Sequence, residues 1–305
     1  MIVPEAVQGS PESLVQQLHV IIVGAGVVGH AEGIALRERG HYVVFSDVDE
    51  AVLDQRRTEG FQTTPMSGLV LAGMDVVLVS VSTPNSAGEI DLRNLEAAVA
   101  TIGDALGRAS SSEPGRYRVV VVRSTVPPGT TDDVVIPLLE AEAGLQAGLD
   151  FGVCVSPEYL RQRMAVSDSI APRLVVIGQL DERSGDVAER LNAGFGCPIY
   201  RVPIREAEFH KYAHNLCNAS KISFFNELRR AAIAVGVDTE RVFALVAQSA
   251  EAMWNAEYGT LDMGPYGGAC LPKDLEAFLA WAARQGLDLP ILSAVRQSNH
   301  PAQAR

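Results

Sequence analysis

The sequence predicts an α/β chain in two parts: a doubly wound parallel sheet with helices on both faces, then an all-helical part. Two observations carry this expectation. As far as Pro203, runs rich in Val and Ile alternate with amphipathic stretches, and uninterrupted apolar runs are those of strands buried on both faces. After about Pro203 the strand texture gives way to helical spacing. The 305 residues suffice for two cores, and 47% apolar with 20% charged residues marks a globular chain rather than a disordered one.

The elements follow in order. MIVPEAVQGSPESLVQQ is a polar lead-in, expected to be flexible over residues 1–17. HVIIVGAG is a strand entering a glycine turn, and VVGHAEGIALRERG is the helix after it, closed by Gly40. HYVVFSDVD is a second strand, with a helix from about Glu50 to Gly60. DVVLVSVSTP and RYRVVVVRSTVPPG are strands separated by the helix LRNLEAAVATIGDALG. IPLLEAEAGL is helical, and DFGVCVSPEYL and RLVVIGQL are two further strands. The second part opens on one long helix, EAEFHKYAHNLCNASKISFFNELRRAAIAVG, followed by DTERVFALVAQS behind an Asp/Thr cap. DLEAFLAWAARQG and PILSAVRQSN complete it. The domains are therefore expected over 18–203 and 204–305.

Gly24, Gly26 and Gly29 form GAGVVG between the first strand and its helix, and Asp47 ends the next strand. In that context the pattern is the dinucleotide fingerprint of a Rossmann-like domain. Gly24 permits the turn, Gly26 admits the pyrophosphate, and Gly29 lets the helix lie close to the sheet. The helix N-terminal amides at Val27 and Val28 then face the phosphates. Asp47 would accept the ribose hydroxyls and repel a 2′-phosphate, which favours NAD over NADP. At the later strand ends, Thr83 and Thr125 are placed to reach nicotinamide or ribose, while Ser82 and Ser124 either join them or cap the following helices.

Three further segments hold polar residues in places that packing does not require. SPEYL puts Glu158 where a strand leaves the sheet. Lys211 and Asn215 are four apart and share a helix face. GPYGGACLPKD surrounds Cys270 with glycines, with Asp274 in the first turn of the next helix. A thiol, an ammonium, an amide and carboxylates suit chemistry with a nucleophilic cysteine.

Together, GAGVVG, the STP and STVPPGT turns, SPEYL, AEFHKYAHNLCNASKISFFNE and GPYGGACLPKD resemble the UDP-glucose/GDP-mannose dehydrogenase family from about His19 to Asn299. The resemblance implies oxidation of the C6 primary alcohol of a nucleotide sugar to a carboxylate with two NAD per turnover. It implies that Cys270 attacks the C6 aldehyde, giving a thiohemiacetal and then a thioester. Lys211 and Asn215 would match the family's oxyanion-stabilising pair, Asp274 and Thr125 its water-handling residues, and Glu158 a glutamate that assists hydrolysis. The resemblance also implies a homodimer built on the long helix 207–235.

Two departures stand out. Gln162 occupies the position of a second family glutamate, and an amide cannot act as a carboxylate base. Family members also continue into a third α/β domain that closes over the nucleotide, whereas this sequence stops at Arg305. On that expectation the cap comes from another polypeptide, or the substrate is smaller or bound differently. Two alternatives remain: a two-electron 3-hydroxyacid or 6-phosphogluconate-type dehydrogenase, which needs no cysteine, and a non-catalytic NAD-binding remnant.

Composition narrows the partners. A net charge of −12 argues against nucleic acid, and no apolar run reaches the length of a membrane span. The expected partner is a small molecule. Cys154, Cys197, Cys217 and Cys270 show no metal-ligand or CxxC spacing, so a reduced, cytoplasmic protein without a metal is expected, with the first three thiols structural.

Overall fold

The computed structural model describes residues 16–299 except Ala87. Most of the expected lead-in, through residue 15, lies outside the described residues. The chain divides into two compact units that part between Ala213 and His214.

In the first unit, β1 (His19–Val23), α1 (Val27–Glu38), β2 (Tyr42–Asp47), α2 (Glu50–Thr58) and β3 (Gln62–Pro65) follow in succession. Next come β4 (Val76–Val79), a two-residue hairpin of β5 (Asn85–Ser86) and β6 (Glu89–Ile90), and α3 (Arg93–Ser112). β7 (Arg118–Val122), a π-helical turn (Thr131–Val135), α4 (Ile136–Ala143), β8 (Phe151–Val155) and α5 (Ala165–Ile170) continue the unit. It ends with β9 (Val175–Gln179), α6 (Glu182–Asn192), β10 (Ile199–Pro203) and the start of α7 (Ile204–Ala234).

Eight strands form one sheet in the order β10-β9-β8-β7-β4-β1-β2-β3. Alternate residues explain the uninterrupted Val/Ile runs. Ile21, Val77, Val120 and Val153 pack into one core under α3 and α4, and Val20, Val76, Val119 and Cys154 pack into the other. With both faces covered, a central strand admits a polar side chain only where a partner meets it, as Leu71 O and Glu113 meet the buried Arg118 at the start of β7.

The architecture is the expected one, with differences in detail. β8 and β9 pair antiparallel, so β9 and its parallel neighbour β10 run against the other strands. β3, β10, α5 and α6 are absent from the sequence-based expectation. β3 and β10 are edge strands with polar residues in them, QTTP and IYRVP, and lack the apolar run that marks a central strand. For α6 a signal was present: Asp181 and Ser184 form a capping box around its first turn.

The second unit holds the remainder of α7, α8 (Thr239–Ser249), α9 (Glu251–Trp254), α10 (Leu271–Arg284) and α11 (Pro290–Ser298). Asp238 caps α8, accepting from Arg241 N at 3.1 Å. Its core is small: Ala231, Ala282, Leu289 and Leu292, with Phe224, Leu228, Phe278 and Trp281 against them. The buried carboxylate of Glu227 on α7 accepts from Ile291 N and Leu292 N, both at 2.9 Å, and so closes the N-terminus of α11. Asn299, at the other end of α11, exchanges two hydrogen bonds with the backbone of Tyr266, at 2.8 and 2.9 Å.

Candidate active site

At the carboxyl edge of β1, β2, β4 and β7 lies a cavity of about 570 Å³. Gly24, Gly26, Val27, Val28, Asp47, Thr83, Thr125 and Glu158 line it, so these sequence-predicted residues come together. Gly24 has φ +95°, and a Cβ there would lie 2.4 Å from Ser80 O. A Cβ on Gly29 would lie 1.9 Å from Gly24 O, which explains how the helix reaches the turn so closely. Gly26 differs: a Cβ there would meet nothing within 4 Å. Gly26 is also the N-cap of α1, and no side chain caps that end. Open space over uncapped helix amides suits a pyrophosphate, so the residues present fit a bound dinucleotide.

Asp47 accepts from Ala25 N at 2.7 Å through Oδ2 and from Asp49 N at 3.0 Å through Oδ1. Each carboxylate oxygen keeps acceptor capacity for a ribose hydroxyl. Thr83 Oγ1 donates to Thr125 O at 2.7 Å, tying two strand ends together. Neither Ser82 nor Ser124 caps a helix: Asn94 donates to Ser82 Oγ at 3.1 Å, and Ser124 Oγ donates to Val81 O at 2.7 Å.

Glu158 lies in the loop after β8. Its Oε2 accepts from Leu160 N at 2.5 Å, and its Oε1 from Lys211 Nζ at 2.9 Å. Lys211 Nζ also bonds the Glu158 carbonyl, and its side chain is almost fully buried. Lys211 reaches this loop from the first two turns of α7. Those turns are anchored by Glu208, whose buried carboxylate accepts from Gly129 N at 2.5 Å and Thr131 N at 2.9 Å. Tyr159 Oη and His210 Nδ1 share a hydrogen bond at 2.8 Å, and burial pushes the Tyr159 phenol well above its ordinary range.

The other predicted residues lie in the second unit. Asn215 is exposed on α7. Cys270 is an exposed free thiol at the N-cap position of α10. Asp274 closes the first turn, its N–H donating to Cys270 O at 2.9 Å, and its carboxylate accepts from Lys273 Nζ at 2.7 Å. Gly264 and Gly268 have φ +63° and +81°, so the backbone itself asks for glycine there. Of the other thiols, Cys154 is buried in the sheet, where desolvation pushes it up to about 12. Cys217 is exposed on α7, so the expectation of a structural thiol there is not met by packing.

Sequence reasoning passed over Arg123 and Glu32. Arg123 lines the cavity and pairs with Glu32, which is 2% exposed on the inward face of α1. An acid on an otherwise Gly/Ala/Leu face was the available signal. Among the described residues no group of three or more His, Cys, Asp and Glu side chains could hold a metal. No helix there is long and apolar enough to cross a membrane.

A glycine turn, an open helix N-terminus and Asp47 at the end of β2, all lining one cavity at the carboxyl edge of the sheet, define the dinucleotide site of a Rossmann-type oxidoreductase. Comparison with known proteins narrows the class. The chain belongs to the UDP-glucose/GDP-mannose dehydrogenase family: residues 50–195 match its NAD binding domain and residues 205–301 its central domain. It is 36% identical over 303 residues to a GDP-mannose 6-dehydrogenase of Pseudomonas putida, spanning 92% of this chain and 68% of that one. With a UDP-glucose 6-dehydrogenase of Bacillus subtilis the identity is 31%, over 94% of this chain and 67% of the relative. The crystal structure of a ternary complex of GDP-mannose dehydrogenase from Pseudomonas aeruginosa superposes with a TM-score of 0.82 at 35% identity, covering 92% of this chain and 68% of that chain.

Proposed function

We propose that this chain oxidises the primary alcohol of a nucleotide sugar to the carboxylate, with Cys270 as the covalent nucleophile. The observation that carries the reading is the buried Lys211–Glu158 pair, with Glu158 lining the same cavity as the glycine turn. The family membership supports the substrate class, since the relatives are named for GDP-mannose and UDP-glucose.

Bound NAD supplies a hydride acceptor, once for each of two oxidations. The protein's part is to hold and move protons and to carry the acyl group. Gly24, Gly26 and Gly29 with the amides of Val27 and Val28 would hold the pyrophosphate, Asp47 would take the ribose, and Thr83 and Thr125 would serve the nicotinamide half. In the first oxidation the C6 hydroxyl would give its proton to water and C6 would lose a hydride to the acceptor, leaving the aldehyde, while Lys211 and Asn215 stabilise the oxygen that carries negative charge. Cys270 adds to the aldehyde carbon, forming a C–S bond while its proton passes to solvent. Loss of a hydride from that thiohemiacetal leaves a thioester. Water, oriented by Thr125 and Asp274 and assisted by Glu158, cleaves the C–S bond and releases the acid and the thiol. Gln162 can orient water but cannot take its proton.

The same reading includes a homodimer through α7, supported by the exposed Phe209, Leu216, Ile222 and Ile233 on that helix. It also places the protein in the cytoplasm, in keeping with four free cysteines. The test is a panel of GDP- and UDP-sugars with NAD, counting NADH per substrate consumed. Two NADH are expected, with Cys270→Ser abolishing acid release. A single NADH, or full acid formation by the serine variant, rejects the thioester route. Sedimentation as a monomer at micromolar concentration rejects the dimer.

A further inference from the structure

Beneath the cavity lies a charge pair that neither cofactor binding nor the proposed chemistry accounts for. The inward face of α1 is otherwise made of Gly29, Ala31, Gly33, Ala35 and Leu36, all buried. Gly33 is pressed against Phe45, where an added Cβ would come within 2.2 Å of the ring. A carboxylate at position 32, 2% exposed, has no packing reason to be on such a face. It is tolerated there because the Arg123 guanidinium bonds it directly.

Arg123 then reaches the other way. Its Nη1 donates to both Ser156 O and Ser156 Oγ at 2.9 Å. Its own backbone is fixed to β4, with its N–H donating to Val79 O at 2.8 Å. Ser156 is two residues from Glu158, which accepts from Lys211. Four charges of alternating sign thus run Glu32, Arg123, Glu158, Lys211, with Ser156 and Pro157 as the covalent bridge between the two pairs.

We propose that Glu32 and Arg123 are positioning residues: they tie the nucleotide-binding helix to the loop that presents Glu158 and Lys211. The pair fixes the separation between the cofactor turn and the proton-handling groups. Hydride transfer depends steeply on such a distance, whereas the groups assigned to the cofactor, the glycine turn, Asp47, Thr83 and Thr125, share no hydrogen bond with the Glu32 carboxylate. The inference rests on the reading of Lys211 and Glu158 as participants in the reaction.

Glu32→Gln is the first test. The amide keeps the shape, but it leaves Arg123 without its counter-charge, and the loop loosens. The expected result is a fall in kcat of about tenfold or more, with the Kd for NADH and the KM for the sugar nucleotide within about threefold of wild type. Hydrogen exchange at the amides of Ser156, Glu158, Tyr159 and Leu160 should speed up in the same variant. The double variant Glu32→Leu/Arg123→Met separates positioning from stability. An apolar pair should restore the thermal midpoint while kcat stays about tenfold down. Wild-type kcat in that double variant, or unchanged exchange at those amides in Glu32→Gln, overturns the proposal. Full turnover by Lys211→Met would instead reject the role of the lysine. The exchange measurement needs no turnover and decides the tether on its own.

Discussion

Replacing Gly26 by alanine separates what the glycine turn does for the fold from what it does for the cofactor. Gly26 has φ −70° and ψ −162°, a conformation open to any L-residue. An added methyl meets nothing within 4 Å. Restricting the unfolded chain is worth about 0.4–1 kcal/mol in favour of alanine. Alanine is the poorer N-cap by a similar amount, about 0.5–1 kcal/mol. The two offset, so the urea midpoint should barely move. The cofactor meets a different situation. A phosphate oxygen must come within about 3 Å of the α1 amides, and the methyl stands in that space. Losing one charge-assisted bond costs about 1.5–3 kcal/mol, or roughly 10- to 150-fold in affinity. The assay is titration with NADH followed by its fluorescence, beside urea denaturation of the same preparation. Gly29→Ala is the contrasting control: its methyl would lie 1.9 Å from Gly24 O, so stability and binding should fail together. Wild-type NADH affinity in folded Gly26→Ala would refute the placement of the pyrophosphate. So would a loss of stability above about 2 kcal/mol, since nothing in the fold opposes the methyl.

Three other outcomes are expected. Lys211→Met removes the partner of Glu158, which keeps its bond from Leu160 N, and should cost about 1–3 kcal/mol in denaturant unfolding, together with most of kcat, measured as initial NADH production. Glu227→Gln leaves one good acceptor for the two amides that open α11, and should destabilise the helical unit by about 1–2 kcal/mol; exchange at Ile291 and Leu292 reports it locally. His41 accepts from Leu18 N through Nδ1 at 3.1 Å and donates from Nε2 to Leu191 O at 3.2 Å, and burial lowers its pKa. The folded ring therefore stays neutral while the unfolded one takes up a proton below about pH 6.5. Its contribution is fully present above that pH and is lost as pH falls, so the thermal midpoint should drop between about pH 7.5 and pH 5, and His41→Gln should flatten that drop.

Much of the fold was legible because its signals are local. Strands with both faces buried carry nearly continuous apolar runs, and β4, β8 and the last four residues of β1 and β7 show them. The edge strands β3 and β10 were not legible, since a strand with one free edge carries no such run. The reversal of β9 was equally hidden, because periodicity reports burial and not direction. Of the site, the turn glycines and Asp47 were readable from spacing, and Glu158 and Lys211 from their odd placement. Their ion pair was not readable, for 53 residues separate them.

What this sequence determined by itself is the set of conformations each segment prefers and the chemistry it carries: a glycine turn shaped for phosphate, helices with caps, a thiol at a helix start. Only the tertiary structure decided which charges meet. Glu32, Arg123, Glu158 and Lys211 come from four separate elements, and burying any one of them is unfavourable until its partner arrives. Such pairing is a property of the packed chain, because the desolvation that makes it necessary exists only once the sheet and its helices have closed around it.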